Sequence, residues 1–228
     1  SVFIFGTWDN NDMGILTTNN KITIKCPTTF YNISVCAVKK DRDNYYSIPL
    51  TLDCGKLPMK LVNMNSGCGY DFMGWFNSEI KLSGSAGSSV EVRRMDTEPH
   101  CGFITQITNV DTVRLNAVTN YSSGAMEIVH SNYDIKDGIK GVKNLEILEG
   151  VEVNASKSEV SVTNLTIGES TGEAEVNENG EEIVHENGQK SQRRNDYSSR
   201  LQAKNITVSG TTTMASADLK AGTTEVGD

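Results

Sequence analysis

"KNLEI" at residues 143–147, "TNLTI" at 163–167 and "KNITV" at 204–208 carry one local pattern three times. In each, an asparagine (Asn144, Asn164, Asn205) precedes an apolar–polar–apolar triplet. The first two copies stand 20 residues apart and the last two 41, close to two such periods. Where an intermediate copy would fall, "EEIVHENG" (181–188) holds a short apolar pair and echoes "MEIVHSN" (126–132). A period near 20 with short strands predicts solenoid-like stacking. Each unit offers only a narrow apolar edge: Leu145/Ile147, Val160/Val162, Leu165/Ile167 and Ile206/Val208. Three parallel chains wound about one axis would enclose such edges. These eight residues are therefore the candidate core of a homotrimer, with Gly-, Ser-, Asn- and Asp-rich corners.

The stretch after the last copy supports the same expectation. Residues 205–228 hold only Ile206, Val208, Met214, Leu219 and Val226 as large apolar side chains. Burying five such groups does not repay the ordering of the backbone they sit on. Yet Thr207, Thr211, Thr212, Thr213, Thr223 and Thr224 favour strands. Short strands that need something to stack on are predicted here.

Outward from the repeat, the composition changes near residues 104–111. All four prolines, all five cysteines, both tryptophans and all six phenylalanines lie before residue 110. Residues 1–110 are neutral, whereas residues 111–228 carry the whole net charge of −8. We therefore expect two parts: a compact β domain over 1–105 and an acidic, repetitive β shaft over 106–228. "GESTGEAEVNENGEEIVHENGQKSQRRNDYSSR" (168–200) reads as an insertion projecting from the shaft. In the first part, "KITIKC" and "YNISVCAVKK" alternate apolar and polar residues as half-buried strands do. Pro27, Asp41–Asn44, Pro49 and Pro58 punctuate them. The fold class expected is all-β: an N-terminal antiparallel β-sandwich or small barrel, then a β-solenoid or interwound trimeric shaft.

Side-chain chemistry points away from catalysis. The five cysteines are odd in number and irregularly spaced, with no C-x-x-C pair, so thiols are expected. Cys26 and Cys36, on successive predicted strands, are the only pair worth testing for a bridge. His100, His130 and His185 are far apart, and no nucleophile, zincin or P-loop motif occurs. Asp96/Glu98 and Glu173/Glu175 alternate as a glycosidase pair on one strand face would, but solvated surface acids are the simpler reading. "DIKDG" (134–138) lacks the alternating ligands of a calcium loop. No catalytic residue, metal site or cofactor is assigned. The acidic balance argues against a nucleic-acid partner, and no apolar run is long enough for membrane insertion. "GYDFMGWF" (69–76) concentrates aromatics; Tyr70, Phe72, Trp75 and Phe76 form the candidate interaction surface.

"ITVSGTTTMASADLKAGTTEV" (206–226) resembles the strand–Gly–Thr-rich repeats of bacteriophage tail-fibre and tailspike shafts, over about residues 140–228. That resemblance implies a non-enzymatic structural virion protein: a homotrimeric fibre or fibre anchor, on the head or the tail, bound to other virion proteins. Its role would be host attachment, through a surface glycan or protein receptor, or particle assembly. The same style occurs in bacterial surface adhesins and filament subunits, which is the alternative, and in polysaccharide-degrading tailspikes.

Overall fold

The computed structural model of the chain describes residues 2–5, 14–70, 74–93, 103–122, 125–129, 131–169 and 198–226. Those residues are all-β, in 22 strands with no helix. The chain opens with β1 (Val2–Phe5), β2 (Gly14–Thr17), β3 (Lys21–Thr23), β4 (Thr28–Tyr31), β5 (Ser34–Asp41) and β6 (Asn44–Ile48). It continues through β7 (Leu50–Asp53), β8 (Pro58–Val62), β9 (Gly67–Tyr70), β10 (Gly74–Asn77), β11 (Ile80–Ser83) and β12 (Ser89–Arg93). Next come β13 (Ile104–Thr108), β14 (Thr112–Leu115), β15 (Val118–Ser122), β16 (Ala125–Val129) and β17 (Ser131–Asp134). The last five are β18 (Ile139–Ile147), β19 (Val151–Ile167), β20 (Ser199–Val208), β21 (Thr212–Met214) and β22 (Ala217–Val226).

Fifteen strands join one curled sheet whose pairs are parallel. Three ladders of pairs run through it. The first passes β1, β4, β8, β12 and β14, then Asn144–Ile147 of β18, Leu165–Ile167 of β19, and β21. The second passes β3, β7, β11 and β13, then the start of β18, the middle of β19 and the second halves of β20 and β22. The third joins β17 to the starts of β19, β20 and β22. Parallel pairing also links β2 to β5, and Ser34 to Asn65.

In-register parallel pairing stacks like on like. Phe30, Leu61, Val92, Leu115, Ile147, Ile167 and Met214 form one column down the first ladder. Leu52, Leu82, Ile107, Ile139, Val160 and Ile206 form another down the second. One continuous core from Ile24 to Val208 contains both columns apart from Met214. Asparagines stack as well. Asn164 Nδ2 donates to Asn144 Oδ1 at 2.9 Å, and Asn144 Nδ2 donates to Thr112 Oγ1 at 3.2 Å. Below them the Thr211 N–H and hydroxyl both donate to Asn164 Oδ1 at 3.1 Å.

Corners are made by residues that tolerate a left-handed backbone. Gly168 has φ +83°, and a Cβ there would lie 1.7 Å from the Ala215 carbonyl oxygen. Gly141 has φ +67° and breaks the register of β18 between Lys140 and Val142, turning one strand from the second ladder into the first.

Three expectations are corrected. The antiparallel sandwich over 1–105 is not what forms: β1, β3, β4, β7, β8, β11 and β12 all pair parallel. Alternation tells which residues face inward and is blind to strand direction. Pairing also continues across residue 105, from β11 to β13 and from β12 to β14. Next, Leu145, Ile147, Val160, Val162, Leu165, Ile167, Ile206 and Val208 are each at most 4 % exposed within one chain. Three chains around an axis are not needed to cover them, because columns from successive strands face each other inside a single curled sheet. Finally, "KNITV" is out of phase with the other two copies. Asn164 stacks on Asn144, whereas Asn205 pairs with Glu159 and Thr223 on the second ladder.

Candidate functional site: hairpins on one side

Where the chain leaves its ladders defines the candidate site. Connections from the second ladder to the first are short: residues 54–57, 84–88, 109–111 and 209–211. Those from the first ladder round to the next second-ladder strand differ widely in length. Leu145 and Leu165 are 20 residues apart and Leu201 and Leu219 only 18. Phe30 and Leu61 are 31 apart, and Val153 and Leu201 are 48. Among the described residues the excess is carried by antiparallel hairpins, β5–β6, β9–β10 and β15–β16. All three follow a first-ladder strand, β5–β6 and β9–β10 leading on to the second ladder and β15–β16 to β17 of the third.

Local chemistry builds the first hairpin. Asp41 pairs with Asn44, which leaves Arg42 and Asp43 as a two-residue turn, with Arg42 at φ +55°. Lys39, Lys40, Arg42 and Tyr46 are exposed, and Lys40 Nζ sits 5.6 Å from the Tyr45 ring centroid. At its base Cys36, Val38 and Phe76 form a small apolar cluster separate from the main core, with Leu16 and Tyr45 packed on it. Polar contacts fix the second hairpin to the first. The Asn77 N–H donates to Ser47 Oγ at 2.9 Å and the Ala37 N–H donates to Ser78 Oγ at 2.8 Å, while Ser66 Oγ donates to Asn77 Oδ1 at 2.7 Å within the second hairpin. The result is a tip that carries Lys39, Lys40 and Arg42 beside two exposed carboxylates, Asp41 and Asp43, with Tyr46 exposed next to them.

The aromatic candidates fall differently from expectation. Phe76 is buried, only 3 % exposed, because it holds the two hairpins together. Trp75 and Tyr70 lie on β10 and β9, opposite Gly69 and Gly74, with side chains outside the described residues. Phe72 lies outside them altogether. Among the described residues, Tyr46 is an exposed aromatic of these hairpins, 44 % accessible, and it is not among the four candidates. Its signal was present in "KKDRDNYY" (39–46), a charged two-residue turn with a strand-forming tyrosine pair behind it.

Cysteine chemistry is corrected too. Cys26 and Cys54 are thiols, but Cys36 is disulfide-bonded, and its partner's side chain lies outside the described residues. The pair proposed from sequence, Cys26–Cys36, is therefore not the bridge. Burial pushes the Cys54 thiol above its usual range, and Cys54 Sγ donates to the Ser83 carbonyl at 3.2 Å. Lys21, 2.6 Å from Asp53, holds that carboxyl below the usual aspartate range by hydrogen bonding. Lys136 bonds Glu79 and is raised by it. These are single pairs on strands and the turns beside them. Among the described residues no three His, Cys, Asp or Glu side chains gather to hold a metal ion. His100, His130, His185, Asp96, Glu98, Glu173 and Glu175 lie outside the described residues, as does most of the 168–200 insertion.

Comparison with known proteins finds no match: no family model fits the chain, and no curated protein or solved structure is significantly similar to it.

Proposed function

We propose that the chain is a single-chain parallel β-solenoid that works as a non-enzymatic stalk, displaying hairpins for attachment. The observation that carries this reading is the in-register ladder pairing. Strands stack from β1 to β22 while every described hairpin leaves after a first-ladder strand. A stack of this kind gives length and stiffness at low sequence complexity, and its side loops vary without disturbing the columns. The β5–β6 tip, where Lys39, Lys40 and Arg42 stand beside Asp41 and Asp43 and Tyr46 is exposed, offers charged hydrogen-bonding groups and an aromatic face to a glycan or protein surface on a host. Extracellular display is favoured by Cys36, since disulfides persist in oxidising surroundings. That same observation raises the bacterial surface adhesin or filament subunit above the virion fibre, whose parts are made in a reducing cytoplasm.

Immunogold labelling of intact source cells and of purified particles, with antibody to the recombinant chain, tests the proposal. Label on the outer surface of intact cells supports the adhesin form, and label on particles supports the virion form. Label that appears only after permeabilisation refutes both. Cleavage of a surface polysaccharide by the purified chain would refute the non-enzymatic part.

A further inference from the structure

Cys36 is disulfide-bonded, while Cys26 and Cys54 are thiols, so the partner of Cys36 is Cys68 or Cys101. The place of its sulfur separates the two. Cys36 Sγ lies 3.1 Å from the Ser66 carbonyl oxygen and 3.8 Å from that of Phe76. Cys68 is two residues on from Ser66 and directly opposite Phe76 in the β9–β10 pair. Opposed residues of an antiparallel pair share a face, with Cα atoms about 4.5–5.5 Å apart. Phe76 packs with Cys36 and Val38 in the satellite cluster, so the face that holds position 68 is the one that meets Cys36. The order of the turns points the same way. Cys36 lies in the turn of the chain that leads to β7, Cys68 in the one that leads to β11, and Cys101 in the one that leads to β13. In the second ladder β11 lies between β7 and β13. A disulfide spans at most about 7 Å between Cα atoms and strands lie about 4.8 Å apart, so it joins adjacent turns more readily than turns with a strand between them.

We infer that Cys36 is bridged to Cys68, and that this bond makes the β5–β6 and β9–β10 hairpins one covalently closed unit. Two thiol–disulfide exchanges form it. One cysteine thiolate attacks the disulfide of an oxidant, a thiol oxidoreductase or oxidised glutathione, and releases one thiol. The second cysteine then attacks the mixed disulfide and releases the other, so two electrons and two protons end on the oxidant's sulfurs. The bond reinforces the hydrogen bonds from the Asn77 N–H to Ser47 and from the Ala37 N–H to Ser78. The main core has no such bridge, since the cysteine it contains, Cys54, is a thiol. Reduction therefore loosens the hairpin pair and leaves the stack standing. The posture of the tip that carries Lys39, Lys40, Arg42 and Tyr46 is thereby tied to redox conditions.

The bridge is independent of what the hairpins attach to, so its failure and that of the labelling experiment are distinguishable. The whole chain, folded in a glutathione redox buffer, is unfolded, alkylated without reductant and cut with trypsin. Peptide 26–39 then carries Cys26 and Cys36, peptide 61–81 carries Cys68, and peptide 95–114 carries Cys101. Mass spectrometry should find 26–39 linked to 61–81, with an alkyl group on Cys26. A link from 26–39 to 95–114, or no link at all, overturns the inference. Cys68→Ser should open Cys36 to alkylation, whereas Cys101→Ser should keep the link, and the reverse pattern overturns the assignment. Should Cys68→Ser fail to fold, the wild-type map and Cys101→Ser decide. Amide exchange over residues 36–48 should accelerate about tenfold or more when reductant is added, with residues 139–167 unchanged. Hairpin exchange indifferent to reductant would show that the bond does not hold the pair.

Discussion

Three asparagines in the same short sequence pattern should respond differently to the same substitution. Asn164 donates one hydrogen bond to Asn144 and accepts two from Thr211, at 2.9, 3.1 and 3.1 Å. Asn205 makes no side-chain hydrogen bond among the described residues, though it too is half-buried. A net hydrogen bond contributes about 0.5–1.5 kcal/mol, and water partly replaces those lost at a half-exposed site. Asn164→Ala should therefore cost about 2 kcal/mol, which for a chain of this size lowers Tm by about 4–8 °C. Asn205→Ala should cost less than about 0.5 kcal/mol, as an unpartnered surface change does. Thermal unfolding followed by circular dichroism reads both. Asn164→Ala also frees the turn below it: a Cβ on Gly210 would lie 2.5 Å from Asn164 Oδ1, so the 209–211 connection is built around that side chain. Amide exchange over residues 209–214 should accelerate in Asn164→Ala and not in Asn205→Ala. Equal shifts for the two variants, or less than about 1 °C for Asn164→Ala, would show that the ladder of asparagines contributes nothing.

Gly168→Ala should cost well over 2 kcal/mol, since it combines a left-handed φ with a clash against the Ala215 carbonyl. Gly87→Ala, also at positive φ but with open space around it, should cost about 1 kcal/mol, and similar losses for the two would sink the steric argument. Alkylation of the unfolded chain without reductant should modify Cys26 and Cys54 and spare Cys36 until reductant is added; modification of all five cysteines would disprove the bridge. Asp53 ionises below its ordinary 3.8 when folded, so the unfolded chain binds the proton first as pH falls. The stability it contributes is present above about pH 4 and is lost as pH drops through the folded value. Lys21→Met should flatten that acid limb, and an unchanged acid unfolding profile would count against the pair.

Much of the inward-facing set was legible, because period-two alternation marks it whatever a strand pairs with. Leu145, Ile147, Leu165 and Ile167 are stacked by the spacing of 20 that the sequence displays. Strand direction was not legible. The spacing that would have revealed parallel pairing in the first half is 30 or 31, as between Leu52 and Leu82 or Met59 and Val90. Hairpins lengthen each turn of the chain by amounts that no local rule predicts. The same effect hid the place of "KNITV": its true partner, Val160–Val162, lies 46 residues back across the 168–200 insertion. At the candidate site, the tip of β5–β6 was readable from its turn, whereas the burial of Phe76 depends on a neighbouring hairpin far away in sequence.

The change in composition near residue 105 then has a physical explanation that needs no change of architecture. The main core is aliphatic along its whole length, with Leu50, Leu52, Leu61 and Val90 early and Leu145, Val160, Leu201 and Ile206 late. Phe76, Cys36 and Tyr45 belong to the satellite cluster under the β5–β6 and β9–β10 hairpins, outside those columns. Hairpins have no stack to share, so each must bring its own apolar mass and cross-link, and aromatics and cysteine supply most of it per residue. Phe30 and Tyr133 are exceptions, Phe30 in the first-ladder column where Leu61 and Val92 follow it and Tyr133 stacked on Val153 in the third. A chain that spends its aromatics on side hairpins will look like two domains in composition while pairing as one sheet. Truncation at residue 105 should therefore expose Leu82 and Val92, whose partners Ile107 and Leu115 would be gone, and leave an N-terminal fragment that aggregates. A soluble 1–105 fragment with cooperative unfolding would show instead that the early strands close a core of their own.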